Sequence, residues 1–208
     1  MTTTSQTEQR RFVHRAVLPV VMLALATVVS AVASLNVALP SIARATHATQ
    51  TQLSWIIDAY ALVFAALLLL GGAIGDRYGR RRALLAGLAI FGGGSIAAMS
   101  VSDPSWLIAM RGVLGLGAAL VMPATLSTIT STFPREQRDQ AIGAWAGVAG
   151  ASAILGLLAS GLLLQPWSWR AVFALNVALA VPAFIGTLRV IPESADPSLS
   201  SFLCKSPW

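Results

Sequence analysis

Six stretches of this sequence stay apolar for about the 20 residues that a helix needs to cross a bilayer, and only short breaks separate them. They run roughly over 16–39, 54–75, 83–101, 106–132, 141–164 and 171–191. The connections at 40–53, 76–82, 102–105, 133–140 and 165–170 leave no room for a folded domain outside the membrane. None of the six shows the period-two alternation of barrel strands, and irregular backbone cannot face lipid. The expected fold is therefore an all-α membrane protein, a six-helix transmembrane bundle over 16–191, with a basic tail at 1–15 and a second tail at 192–208. Composition agrees: 56% hydrophobic residues, 11% charged residues and a mean hydropathy of +0.73 exceed what a soluble core of 208 residues could hide.

The net charge of +6 invites a nucleic-acid reading, but the basic residues, all Arg except Lys205, gather in short segments beside apolar runs. They read as topology signals, and no nucleic-acid partner is expected. Arg10, Arg11 and Arg15 precede the first span; Arg77, Arg80, Arg81 and Arg82 follow the second; Arg135 and Arg138 follow the fourth; Arg189 and Lys205 follow the sixth. Only Arg44 and Arg170 stand on the other side, so both termini are expected in the cytoplasm. Trp55, Trp106, Trp167 and Trp169 fall at the opposite helix ends, where an outer aromatic belt would sit. The first span also ends in a small-residue Ala31-Val32-Ala33 pattern, as a cleaved signal peptide would. The run 16–39 exceeds a signal core, however, and cleavage would break the charge alternation.

Two ionisable groups lie inside the spans. Arg111 sits a few residues into the fourth, where an arginine at mid-helix costs roughly 2.5–3.5 kcal/mol, so it should face the bundle interior or snorkel toward Trp106. Gly115, Ala118 and Met122 fall within about 40° of it on a helical wheel, a small stripe that lets a neighbouring backbone approach. Asp58, beside Tyr60 in the second span, suits proton coupling or recognition of a cation if it is not simply hydrated near the surface. In the fifth span Gly143, Gly147 and Gly150 share one face and are expected to pack against another helix. Gly92-Gly93-Gly94 marks a further close approach or a flexible point. Enzyme chemistry is not indicated: the only histidines are His14 and His47, and a nucleotide-binding P-loop is missing. Cys204 stands alone, which excludes an internal disulfide and a CxxC metal site. No cofactor or metal is expected.

The segment Gly72-Ala73-Ile74-Gly75-Asp76-Arg77-Tyr78-Gly79-Arg80-Arg81 resembles the loop between spans two and three of major facilitator superfamily transporters. Asn36 to Pro40, Trp55 to Tyr60, Arg111 with Gly115, and Trp169-Arg170 with Phe173 and Asn176 resemble the family's marks in spans one, two, four and six. Together they resemble the amino-terminal half of the drug:proton antiporter branch with fourteen spans. Ala31, Leu114 and Leu157 stand where many relatives carry an acid, a Gln and a Pro, which leaves the charge of the substrate open. The resemblance implies efflux of small hydrophobic or cationic compounds, powered by the proton gradient. Gly72, Gly75, Asp76, Arg77, Gly79, Arg80 and Arg81 would form a cytoplasmic gate, and Asn36, Asp58, Tyr60 and Arg111 a proton or substrate pathway. Such transporters rock two halves about a shared midplane site. The expected partners are the bilayer, a small-molecule substrate, and either a second transporter half or another copy of this chain. The alternatives are a truncated fragment that does not transport and a half-transporter that must pair.

Overall fold

Local signals fix where three of the helices start. Thr49 and Gln52 form a reciprocal capping box: the Thr49 hydroxyl accepts from the Gln52 amide and the Gln52 side chain accepts from the Thr49 amide. Asp103 caps the amides of Ser105 and Trp106, with Pro104 at the first helical position. Gly79, at φ 106°, makes the whole connection between two helices, a conformation that disfavours any side chain. The computed structural model describes residues 3–191, with side chains from Ala16 onward. The tail expected over 192–208, with Cys204 and Lys205, lies outside the described residues, as do the side chains of Arg10, Arg11 and Arg15.

Six helices follow: α1 (Thr3–Thr46), α2 (Gln50–Tyr78), α3 (Arg80–Ser100), α4 (Pro104–Thr132), α5 (Arg135–Leu163) and α6 (Arg170–Val190). Each is long and apolar enough to cross a membrane. The helices overrun several expected connections. α1 continues through Pro40 to Thr46, so 40–53 shrinks to His47, Ala48 and Thr49. The segment 76–82 is almost wholly helical, divided between α2 and α3, and α5 begins at Arg135 because the polar residues 135–140 are tolerated as its first turns outside the apolar zone.

Packing divides the bundle into two matching triplets. α4 packs chiefly on α2 and α3, α1 chiefly on α5 and α6, and α3 meets α6. Exchanging α1–α3 for α4–α6 maps this pattern onto itself, as expected of two three-helix repeats. Small residues occupy equivalent contacts. A Cβ on Gly71 of α2 would overlap the Ala119 carbonyl of α4, and one on Gly156 of α5 would lie 2.8 Å from the Ser30 carbonyl oxygen of α1. Gly87 and Gly117 bring α3 and α4 together, while Gly186 brings α6 against Val20 of α1.

The glycine face expected to pack in α5 does not do so within the described residues. Gly143, Gly147 and Gly150 are exposed, and a Cβ at any of them would meet nothing within 4 Å. The helix-wheel pattern found a small-residue face correctly but not its neighbour. Gly92-Gly93-Gly94 is mixed: Gly94 closely approaches Val113, Gly92 makes ordinary contact with Ala180, and Gly93 is open. Trp169 also departs from expectation. Trp55, Trp106 and Trp167 are exposed, but Trp169 is 3% exposed, set edge-on to Phe173 and beneath the Arg170 guanidinium. Arg170 itself donates to the Met99 carbonyl at 2.7 Å and to the Ser102 hydroxyl at 2.8 Å, so it closes the carboxyl end of α3 where a cation is favoured.

These contacts predict a contrast in stability. Gly71→Ala should destabilise the bundle by about 1–3 kcal/mol through overpacking against Ala119. Gly147→Ala should be neutral or stabilising by up to ~1 kcal/mol, because it adds helix propensity in open space. Thermal unfolding of both variants in detergent checks the pair; equal melting would contradict the assignment of the two glycine faces.

Candidate functional site

Between α1, α2, α4 and α5 lies an open cavity of about 390 Å³, lined by Val28 and Val32 of α1, Tyr60 and Phe64 of α2, Met122 of α4 and Ala153 of α5 among others. Its surface is almost wholly apolar. The Tyr60 and Phe64 rings stack at 6.2 Å with 13° between their planes, so one wall offers aromatic faces. The Tyr60 hydroxyl donates to the Val28 carbonyl at 3.2 Å, which pins α2 to α1 at the cavity.

Behind that wall is Arg111. It is 1% exposed, its Nε donates to the Ile56 carbonyl at 2.9 Å, and its guanidinium carbon stands 4.5 Å from the centre of the Tyr60 ring. Gly115 permits this closeness, since a Cβ there would lie 2.5 Å from the Tyr60 carbonyl oxygen. The small stripe read from Arg111 through Gly115 and Ala118 to Met122 thus leads from a buried cation, across a close helix contact, into the cavity. The cation–π contact and one charged hydrogen bond offset part of the burial cost. Arg111 Nη1 remains buried without an acceptor among the described residues. An acceptor reaching it would relieve a costly unmade bond.

The other expected pathway residues are placed differently. Asn36 lies one turn beyond Val32 on the cavity-facing stripe of α1, exposed, with its Nδ2 donating to the Val32 carbonyl at 3.1 Å. Asp58 does not meet Arg111. It is exposed on another face of α2, between Trp55 and Leu62 along the helix, and forms no hydrogen bond or ion pair with any described residue. Phe64, Val28 and Trp145, whose Nε1 donates to the Thr125 hydroxyl at 3.1 Å, were not singled out in the sequence. Only the Tyr60–Phe64 spacing, one helical turn, could have signalled any of them.

At the end of the bundle rich in arginine, Asp76 accepts from the Arg80 Nε at 3.5 Å across Gly79. Arg77 lies over its neighbour Tyr78, with 5.5 Å from guanidinium carbon to ring centre. Gly75 is buried in contact with Ala83, and Gly72 meets Pro123. Gly72, Gly75 and Asp76 face Pro123, Ser127 and Thr130 of α4 across a second cavity of about 270 Å³. Arg81 leaves this group: its Nη2 donates to the Leu188 carbonyl of α6 at 2.8 Å.

Residues 21–202 match the Major Facilitator Superfamily. The chain belongs to that family. The methyl viologen resistance protein SmvA of Salmonella typhimurium is 42% identical over 162 residues, covering 77% of this chain and 33% of that protein. The multidrug efflux pump LfrA of Mycolicibacterium smegmatis is 39% identical over 202 residues, covering 96% of this chain and 39% of the pump. Among solved structures, the peptide transporter POT in complex with sulfate superposes with a TM-score of 0.75 at 14% identity, over 91% of this chain and 42% of that one. The chain thus spans between a third and a half of these proteins. It is a multi-pass membrane protein of a transporter family whose relatives include resistance and efflux proteins.

Proposed function

We propose that this chain forms the first six-helix half of a proton-coupled exporter of small hydrophobic or cationic compounds, and that the cavity beside Tyr60 and Phe64 is its share of the substrate site. The observation that carries this reading is the pairing of an open apolar cavity with a buried, incompletely bonded arginine directly behind its aromatic wall. Apolar compounds would bury surface on Val28, Val32 and Met122. A cationic one would gain from the half-buried ring of Phe64. The names of SmvA and LfrA support export of toxic small molecules.

Both termini are assigned to the cytoplasm by the arginine asymmetry, which makes the α2–α3 corner a cytoplasmic gate element. Asp76 would meet a helix amino terminus of the second half there, where a carboxylate is favoured. Asp58 supplies the proton step. Among the described residues it is the only acid inside an apolar stretch, one turn from Trp55, and a carboxylate facing lipid is costly unless protonated or paired. A second bundle, or another copy of this chain, would supply that pairing.

The experiment joins residues 1–191 to the remainder of LfrA and measures efflux from proteoliposomes. Uphill efflux is expected only with an imposed proton gradient. Asp58→Asn should abolish uphill efflux while downhill exchange continues at a similar rate. Uphill efflux that survives in Asp58→Asn would remove Asp58 from the coupling step.

A further inference from the structure

On the side of the bundle away from the cavity, α3 and α6 leave an apolar groove of about 270 Å³. Leu88, Gly92, Gly93 and Ile96 of α3 line one side, and Val181 and Ile185 of α6 line the other. Gly93 makes the space, since a Cβ there would meet nothing within 4 Å. From Leu88 to Ile96 the groove extends about 12 Å along α3, close to the hydrocarbon depth of a single leaflet.

The groove points to a cluster of cations. Ile185 is one turn from Arg189, and Leu88 is two turns from Arg81 on nearly the same helical face. Arg81 bridges α3 to α6 beyond the groove by its bond to the Leu188 carbonyl, and its Nε is buried with no acceptor among the described residues. Arg189 is exposed, and Arg82 adds a third positive charge beside Arg81. α3 also begins without a side-chain cap, so its first-turn amides add a partial positive charge at the same point. An apolar slot with guanidinium groups one to two turns beyond its end has the charge and polarity profile of an anionic phospholipid.

We propose that the α3–α6 groove binds one anionic phospholipid of the leaflet at the arginine-rich end, with an acyl chain along Gly92 and Gly93 and the phosphate held by Arg81 and Arg189. The site is separate from the proposed substrate cavity and does not depend on the transport reading. By tying the start of α3 to the end of α6, it would join the two three-helix repeats at one corner of the membrane.

The test is native mass spectrometry of the full chain released from micelles containing phosphatidylglycerol or phosphatidylcholine with identical acyl chains. One phosphatidylglycerol should be retained with at least about fivefold preference. Arg189→Gln, which removes an exposed side chain, should lower that retention about fivefold, and Arg81→Gln should do the same. Gly93→Leu should displace the lipid by filling the slot while the melting temperature stays within a degree or so. Arg135→Gln, on α5, is the control for diffuse charge attraction and should leave retention unchanged. Equal retention of the two lipids, no effect of Gly93→Leu, or an Arg135→Gln loss as large as that of Arg189→Gln would each overturn the proposal.

Discussion

Replacing Arg111 with methionine should reduce transport by the transporter rebuilt with the LfrA remainder by about 10- to 100-fold, the equivalent of the ~1.5–3 kcal/mol carried by a charged hydrogen bond. The bundle itself should be no less stable. A lone buried cation gains less from its cation–π contact and single acceptor than its desolvation costs, and apolar replacement of buried charge is often neutral or stabilising. Arg111→Lys should also transport poorly, because an ammonium cannot both stack flat on Tyr60 and hold the Ile56 carbonyl. Melting of the chain in detergent together with vesicle efflux separates the effects. Arg111→Met that melts several degrees early, or that transports normally, would reduce Arg111 to a structural residue.

The second large effect is expected at the uncovered glycine face of α5. Gly147→Trp should leave the chain by itself as stable as before, since Gly143, Gly147 and Gly150 have no neighbour within 4 Å of an added Cβ. In the rebuilt transporter the same change should cut efflux at least about tenfold, as an indole forced into a close helix contact costs roughly 1–3 kcal/mol or more. Exposed small residues in a membrane helix suit a close helix approach better than they suit lipid contact. Full transport by Gly147→Trp would place that face against lipid and remove it from any interface between halves.

The helices were legible because lipid imposes their length and leaves no alternative to internal hydrogen bonding. Their ends were less so: Pro40 reads as a breaker, yet α1 runs past it, and the polar run 135–140 reads as a loop, yet it winds as helix. Hydropathy marks where a helix enters lipid, not where its hydrogen bonds stop. Arg111 and Tyr60 were each legible as candidates, but their contact depends on Gly115 admitting the α2 backbone, a fact about two helices at once. Whether Asp58 and Arg111 meet is not legible in the sequence; in the fold Asp58 is exposed while Arg111 is buried against the Ile56 carbonyl. The two glycine families show the same limit. Gly143 and Gly147 carry the better packing pattern, whereas Gly71, Gly87 and Gly117 make the contacts, because periodicity identifies a face without its neighbour. Trp169 reads as an interfacial tryptophan, but its place at the start of α6 turns it inward onto Phe173.

On the proposed reading, this bundle holds one side of a transport site whose other side comes from a second bundle. Tyr60, Phe64 and the Arg111 behind them form a wall, and the cavity they face stays open. The most direct measurement places the 208-residue chain alone in proteoliposomes, determines its oligomeric state by cross-linking, and follows proton-driven accumulation of a fluorescent cationic dye. No uphill movement is expected of the monomer, and uphill movement is expected once residues 1–191 are joined to the LfrA remainder. A cross-link-negative monomer that drives the dye uphill by itself would contradict that reading.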